Sequence, residues 1–307
     1  MALDVSALSD FNNETAGKMI PKIVYTGNTA EYTSVQEGIK YLEPLNLFEV
    51  DLYVQEGYGC ATTASGSAVF TQRNLQVCGR QSFDSLCLKD LDKKYLGITS
   101  LDAGSYNTTW KLAETYSELI VNQMKKLNDT FLWNASTASG DCANGLDIIL
   151  SSGSVGSGIT DAAQVVGTAV PSLANMDLMI AALPDAVADR DDLTFFMSVG
   201  KFRTFVANIR SANSYYFDPN SIANRGGVLD MVYPYQNVRV VGTQGLSGSD
   251  RIVLGPAKQI VVGTDLVSDV DGFALWYDIN TDSLRHRLSM KLGVQVAYPE
   301  FWITNNL

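Results

Sequence analysis

The sequence predicts an α+β protein, and three observations lead there. An alternating run leaves at Leu47 and returns by Arg80, the pattern of one long two-stranded ribbon. A single long amphipathic helix is written over Trp110–Trp133. From Gly226 onward, short apolar runs are separated by glycines, the pattern of a sheet.

The ribbon goes out through Leu47–Gln55 and returns through Ala68–Val77, around a soft tip at Glu56–Ser67 rich in Gly, Ser and Thr. An isolated two-stranded ribbon is marginal in water, so one this long must lie on its own domain or on a neighbour. Before it, residues 1–44 read as an extended arm with one short helix near Glu31–Leu42, interrupted by Pro21, Gly27 and Gly38. After it, Phe83–Leu96 carries Leu86, Asp90 and Lys93 or Lys94 at helical spacing and predicts a turn or two of helix.

In the long helix Leu112, Tyr116, Leu119, Ile120, Met124, Leu127 and Phe131 recur at three- and four-residue steps and form one apolar stripe. Thr108 or Thr109 caps its start. The opposite face, Lys111, Glu118, Asn122, Lys125 and Asp129, is expected to be solvated or lightly contacting. Leu146–Leu150 reads as a short strand and Ser151–Gly158 as a flexible loop. A helix over Ser172–Leu183, a buried strand over Leu193–Val199 and a helix over Lys201–Arg210 follow. Strands are then expected at Val238–Val241, Arg251–Leu254, Ile260–Val262 and Phe273–Tyr277, with a long last one at Leu284–Ala297.

At 307 residues, 46% hydrophobic and 18% charged, the chain has ample material for a buried core. A formal charge of −11 argues against a protein that coats nucleic acid by neutralising phosphates. No run approaches the roughly 18 apolar residues of a membrane span, and no signal peptide is visible. The expectation is synthesis in a cytoplasm, where the sequons at Asn13, Asn107, Asn128 and Asn134 carry no meaning. Cys60, Cys78, Cys87 and Cys142 include no C-x-x-C pair, so reduced thiols are expected, with a cross-link between subunits through Cys60 as the alternative.

Catalytic constellations are sparse. The single histidine, His286, alternates with Arg285 and Arg287 along the last strand and is expected to face the sheet interior or a partner. Gly153–Gly158 has the spacing G-x-x-G-x-G with no Lys-Ser/Thr behind it, which favours a hinge over a phosphate cradle. Asp269–Gly272 and Asp189–Asp192 are acidic turns without the ligand series of a calcium loop. No catalytic, cofactor or metal residue is expected.

The order of parts carries a resemblance: extended arm, long ribbon, long helix, small α/β unit, then a closing arginine-bearing strand. The last stretch carries it most: Ile260–Leu266, Phe273–Asp278, Leu284-Arg285-His286-Arg287-Leu288, then Gly293–Glu300 with its Pro299. Here the chain resembles the major capsid proteins of tailed double-stranded-DNA bacteriophages, the Hong Kong ninety-seven fold shared with encapsulin shells.

That resemblance implies an N-terminal arm at 1–44, a β-hairpin E-loop at 45–88, and a P domain at 89–170 with its spine helix at 110–133. It also implies an A domain at 171–275 and a return strand of the P domain at 276–307. It implies a structural protein, not an enzyme, that self-assembles into pentamers and hexamers of an icosahedral virion shell around double-stranded DNA. DNA would be held without sequence-specific binding, and a portal protein and possible separate scaffolding, decoration or head-closure proteins would be partners. On this reading Val54, Tyr58, Cys60, Phe70 and Arg73 make intersubunit contacts on the E-loop. Tyr116, Leu119, Met124 and Lys125 mark the spine helix, and Arg285 and Arg287 the last strand. Two departures stand out: no fused scaffolding segment is evident ahead of the arm, and no lysine lies between Tyr41 and Leu88 to form an isopeptide cross-link. An encapsulin-like compartment is the alternative, and a tail or surface binding module a weaker one.

Overall fold

The computed structural model describes residues 29–54, 66–87, 108–151, 162–165, 170–212, 223–225, 228–233, 236, 238–265, 273–278, 280–281 and 283–305. A short strand β1 (Ser34–Gln36) precedes β2 (Leu42–Asp51) and β3 (Ser67–Gln76), which pair only with each other as the ribbon. Strand β4 (Cys78–Cys87) leaves the ribbon, and the long helix α1 (Thr108–Asn134) and a helical turn α2 (Leu146–Ile149) follow. Next come β5 (Ala163–Val165), α3 (Leu173–Ala181), β6 (Leu193–Ser198) and α4 (Val199–Ala212). The rest is β7 (Ala223–Arg225), β8 (Val228–Val232), β9 (Arg239–Thr243), β10 (Val253–Pro256), β11 (Ile260–Thr264), β12 (Phe273–Asp278), β13 (Ser283–Val296) and β14 (Ile303–Asn305).

Two sheets carry the body. In the seven-stranded sheet, ordered β5-β14-β10-β6-β9-β8-β7, strand β6 lies at the centre and is buried on both faces, as its unbroken run Leu-Thr-Phe-Phe-Met-Ser demands. Because side chains alternate across a strand, β6 feeds two cores. Phe195 and Met197 pack with Phe202, Phe205 and Ile209 of α4 and with Met176 of α3. Phe196 faces the other way, toward Trp133 of α1 and Trp302, with ring centroids 5.5 and 6.4 Å away. Val240 and Val241 of β9, and Leu254 and Val253 of β10, divide between the same two cores. The parallel β6–β9 pair brackets α4, a βαβ crossover.

The five-stranded sheet is organised by β13. Strand β4 runs beside it from Ser283↔Cys87 to Leu292↔Cys78, β12 pairs its first half, and β11 pairs its end from Thr264↔Leu292 to Ile260↔Val296. Strand β1 adds in parallel to β11. Arg80 of β4 anchors α1 on this sheet: its Nη1 donates to the Leu127 carbonyl at 3.1 Å, and its guanidinium lies 4.4 Å from the Phe131 ring centre.

Several expectations are corrected. The helix expected near Glu31–Leu42 is a turn followed by β1, because Ser34–Gln36 find a ready edge in β11 and Gly38 takes φ +86°. The helical turns expected from Phe83 are strand through Cys87, since β13 offers a partner along the whole length, and 88–107 lie outside the described residues. Leu146–Leu150 forms a helical turn, where Leu146, Ile149 and Leu150 join the Trp133 core; a five-residue apolar run does not distinguish the two. The expected stripe on α1 is rotated at its end, for Leu127 is exposed while Asp129 is buried by partners on other segments. The reduced-thiol reading is corrected for two of the four cysteines: Cys78 and Cys142 form a disulfide, with Cα atoms 5.9 Å apart.

The strand pairings also cut across the expected boundaries. Cys78–Cys87 belongs to the β13 sheet and not to the hairpin, and the line at 275/276 falls inside β12. Strand β14 ends the described chain in the seven-stranded sheet, because Ile303 is needed between β10 and β5.

Candidate intersubunit surface

The ribbon has a buried root and a bare outer half. Ten residues on each strand pair from Leu42↔Gln76 to Asp51↔Ser67, about 34 Å of antiparallel ladder. At the root, Leu75 packs with Ile39 and Val77, against Leu45 and Val261. Gln295 of β13 donates its side-chain amide to the Asn74 carbonyl at 2.8 Å, and the Tyr41 carbonyl accepts the Val77 N–H at 2.8 Å. Gly293 leaves room for the Gln76 carbonyl; a Cβ there would overlap it.

Past Leu47 this cover thins to the Tyr298 hydroxyl, which donates to the Phe48 carbonyl at 3.4 Å. Phe48 and Phe70 are cross-strand partners with rings stacked at 4.4 Å, yet 53% and 74% of their surfaces are exposed. Val50, Leu52, Tyr53 and Val69 are exposed as well, and Val54 is 82% exposed. A run of exposed apolar side chains this long marks an interaction surface. Each large side chain covered by a partner would contribute roughly 1.5–3 kcal/mol.

Arg73 differs from its expected companions. It lies opposite Leu45 in the buried root, 9% exposed, and its Nη1 has no hydrogen-bond partner among the described residues. Burial with no acid beside it pulls its pKa below the ordinary arginine value. Tyr58 and Cys60 lie outside the described residues, as do Gly153–Gly158 and Asp269–Gly272.

The remaining expected positions are dispersed. Tyr116 and Leu119 fall in α1, their side chains outside the described set. Met124 is buried and Lys125 half-buried. Arg285 pairs with Asp278 at 3.1 Å and reaches Thr281 at 3.3 Å, binding the β12–β13 turn. Arg287 is exposed between Phe83 and Ala274. His286 is buried 3.3 Å from Ser82 Oγ, and burial holds its pKa below the usual histidine value while Asp84 opposes the shift. In the acidic turn, Asp192 takes both oxygens to Arg190 at 2.7 and 2.8 Å. Among the described residues no three His, Cys, Asp or Glu side chains gather as a metal site, and no helix is long and apolar enough to cross a membrane.

Sequence reasoning missed one polar knot. Asp129 accepts from the Thr29 N–H at 3.1 Å, the Thr29 hydroxyl at 2.6 Å and the Gly245 N–H at 2.6 Å, and Trp133 Nε1 donates to Thr29 Oγ1 at 2.7 Å. It ties the N-terminal segment, α1 and the turn after β9 together. The one available signal was an acid two residues before Phe131–Trp133, at the most apolar end of the helix.

No family model matches the chain, and no curated protein does. Solved structures do. The capsid of an empty GTA particle superposes with a TM-score of 0.56 over 91% of this chain and 89% of that one, at 12% identity. The capsid of cyanophage A-1(L) gives 0.55 over 93% and 92%, at 13% identity. The chain has the phage major capsid fold. A virus-like particle from Pyrococcus furiosus shares it at 0.51 over 95% and 98%, with 10% identity.

Proposed function

We propose that this chain is a structural shell subunit, a major capsid protein that assembles into the pentamers and hexamers of an icosahedral phage head around double-stranded DNA. One observation carries the reading: on the outer ribbon Phe48, Val50, Leu52, Tyr53, Val54 and Phe70 stay exposed, without a full cover among the described residues. A second copy supplies that cover. Contacts of this head-to-tail kind use two different surfaces, so they close into rings when the rotation permits. The soft tip lets one sequence meet neighbours at different angles.

The ribbon contacts through Val54 and Phe70, with Tyr58 and Cys60 at the tip and Arg73 at the root. The long helix with Tyr116, Leu119, Met124 and Lys125 forms the subunit's spine, and Arg287 on β13 faces outward for a neighbour. The division into arm, E-loop, P domain and A domain follows the parts, with the strand exchanges described above. A net charge of −11 supports a shell held by protein contacts and not by DNA. Its work is structural and needs no catalytic residue. The portal, any separate scaffold, and decoration or head-closure proteins are the partners such a shell requires, and synthesis would be in a bacterial host.

The test is a size and cargo measurement on purified particles. Large closed shells, with double-stranded DNA in virions, support the capsid reading. Shells filled with a protein cargo would favour a compartment of the kind the shared fold also allows, and a monomer at all concentrations would end both readings.

A further inference from the structure

We infer that Cys78 and Cys142 form a covalent modification site, a dithiol that a small-molecule disulfide such as oxidised glutathione converts to an internal staple at the root of the ribbon. Its placement carries the inference. The ribbon strand β3 ends at Gln76, and Cys78 opens β4 opposite Leu292 of the body sheet. Cys78 is therefore where the chain passes from ribbon to body. Cys142 lies in the loop behind α1, on the far side of that junction.

Both positions are set by contacts that involve no sulfur. The Val77 N–H is held by Tyr41, one residue from Cys78. Around Cys142, Asp141 Oδ2 accepts the Ser136 N–H at 2.9 Å, Asn144 Oδ1 accepts the Thr137 N–H and hydroxyl at 3.0 and 2.9 Å, and the Ala135 carbonyl accepts the Gly145 N–H at 2.8 Å. In the bonded pair the two Cα atoms lie 5.9 Å apart, within the range a disulfide takes, and none of these flanking hydrogen bonds requires the bond to be closed.

The two sulfurs are unequal in access. Cys78 is buried and Cys142 is exposed. Cys142 loses a proton, its thiolate attacks the small disulfide, and one small thiolate leaves, giving a mixed disulfide. Cys78 then loses its proton and attacks the Cys142 sulfur, and the second small thiolate leaves. Two protein thiols are oxidised, one small disulfide is reduced to two thiols, and the protons pass to those thiols. In a glutathione-reducing medium the same steps run backward and the ribbon root is unstapled.

The site does not depend on the shell reading, and peptide mapping of free subunits tests it alone. Protein is reduced, desalted, treated with oxidised glutathione, unfolded in acid and alkylated before digestion. The expected result is a fall from four alkylatable cysteines to two, with Cys78 and Cys142 joined within one chain. C142S, an exposed change that the fold tolerates, should leave Cys78 fully alkylatable. Hydrogen exchange of residues 74–80 should be slower in the oxidised wild type than in the reduced protein or C142S. Four free thiols after oxidation, Cys60-linked dimers in place of the internal link, or identical exchange in both states would overturn the proposal.

Discussion

Asp129 of the long helix accepts the main-chain N–H of Gly245 at 2.6 Å across 116 residues of sequence, with only 2% of its surface exposed. The turn must be glycine: a Cβ at 245 would overlap the Trp133 ring and the Asp129 carbonyl. Asn at 129 keeps one acceptor but turns an amide donor toward N–H groups. D129N is therefore expected to lower unfolding free energy by roughly 1–3 kcal/mol, read as a lower urea midpoint at unchanged slope.

Burial pushes the Asp129 carboxyl above its ordinary value, against the donors of Thr29, Gly245 and Gln244. The unfolded carboxyl titrates near 3.9. Between that pH and the raised native value, the folded state binds more protons, so this group makes stability fall as pH rises. The difference in melting temperature between wild type and D129N should shift with pH in that window and level off above it.

His286 gives the opposite slope. Its native pKa is held down by burial, so between the unfolded value near 6.5 and the lower native one the unfolded chain binds the extra proton. The neutral ring's contribution is present above pH 6.5 and is lost as pH falls through the depressed value. H286Q should flatten the fall of thermal stability on acidification through that range, measured by calorimetry.

Arg73 yields two opposed expectations. In the free subunit its buried guanidinium has an unpartnered Nη1, so R73M should be neutral or stabilising, by up to about 4 kcal/mol in urea unfolding. If a neighbour's acid pairs with it in the shell, R73M particles should break down at lower denaturant than wild type even though their subunits are no weaker.

How much was legible follows from where each signal resides. The ribbon, α1, β6, α4 and β13 were readable because each is long or strongly periodic, and the alternation Phe48, Val50, Leu52, Val54 already placed four apolar residues on one row. Leu146–Leu150 was not, because five apolar residues suit strand and helix alike and only the Trp133 core decides. Asp129 and Leu127 were misplaced because the α1 face that is buried is set by Thr29 and Gly245, both distant in sequence. The pairing of Cys78 with Cys142 spans 64 residues with no spacing rule to reveal it.

The central claim is that the outer ribbon is covered by a second copy. The most direct measurement is sedimentation and negative-stain microscopy of F48D/F70D beside wild type, with circular dichroism to establish that both fold. Both side chains are exposed in the free subunit, so the fold should survive. The account predicts closed shells from wild type and folded, unassembled subunits or small rings from the double variant; normal shells from the double variant would contradict it.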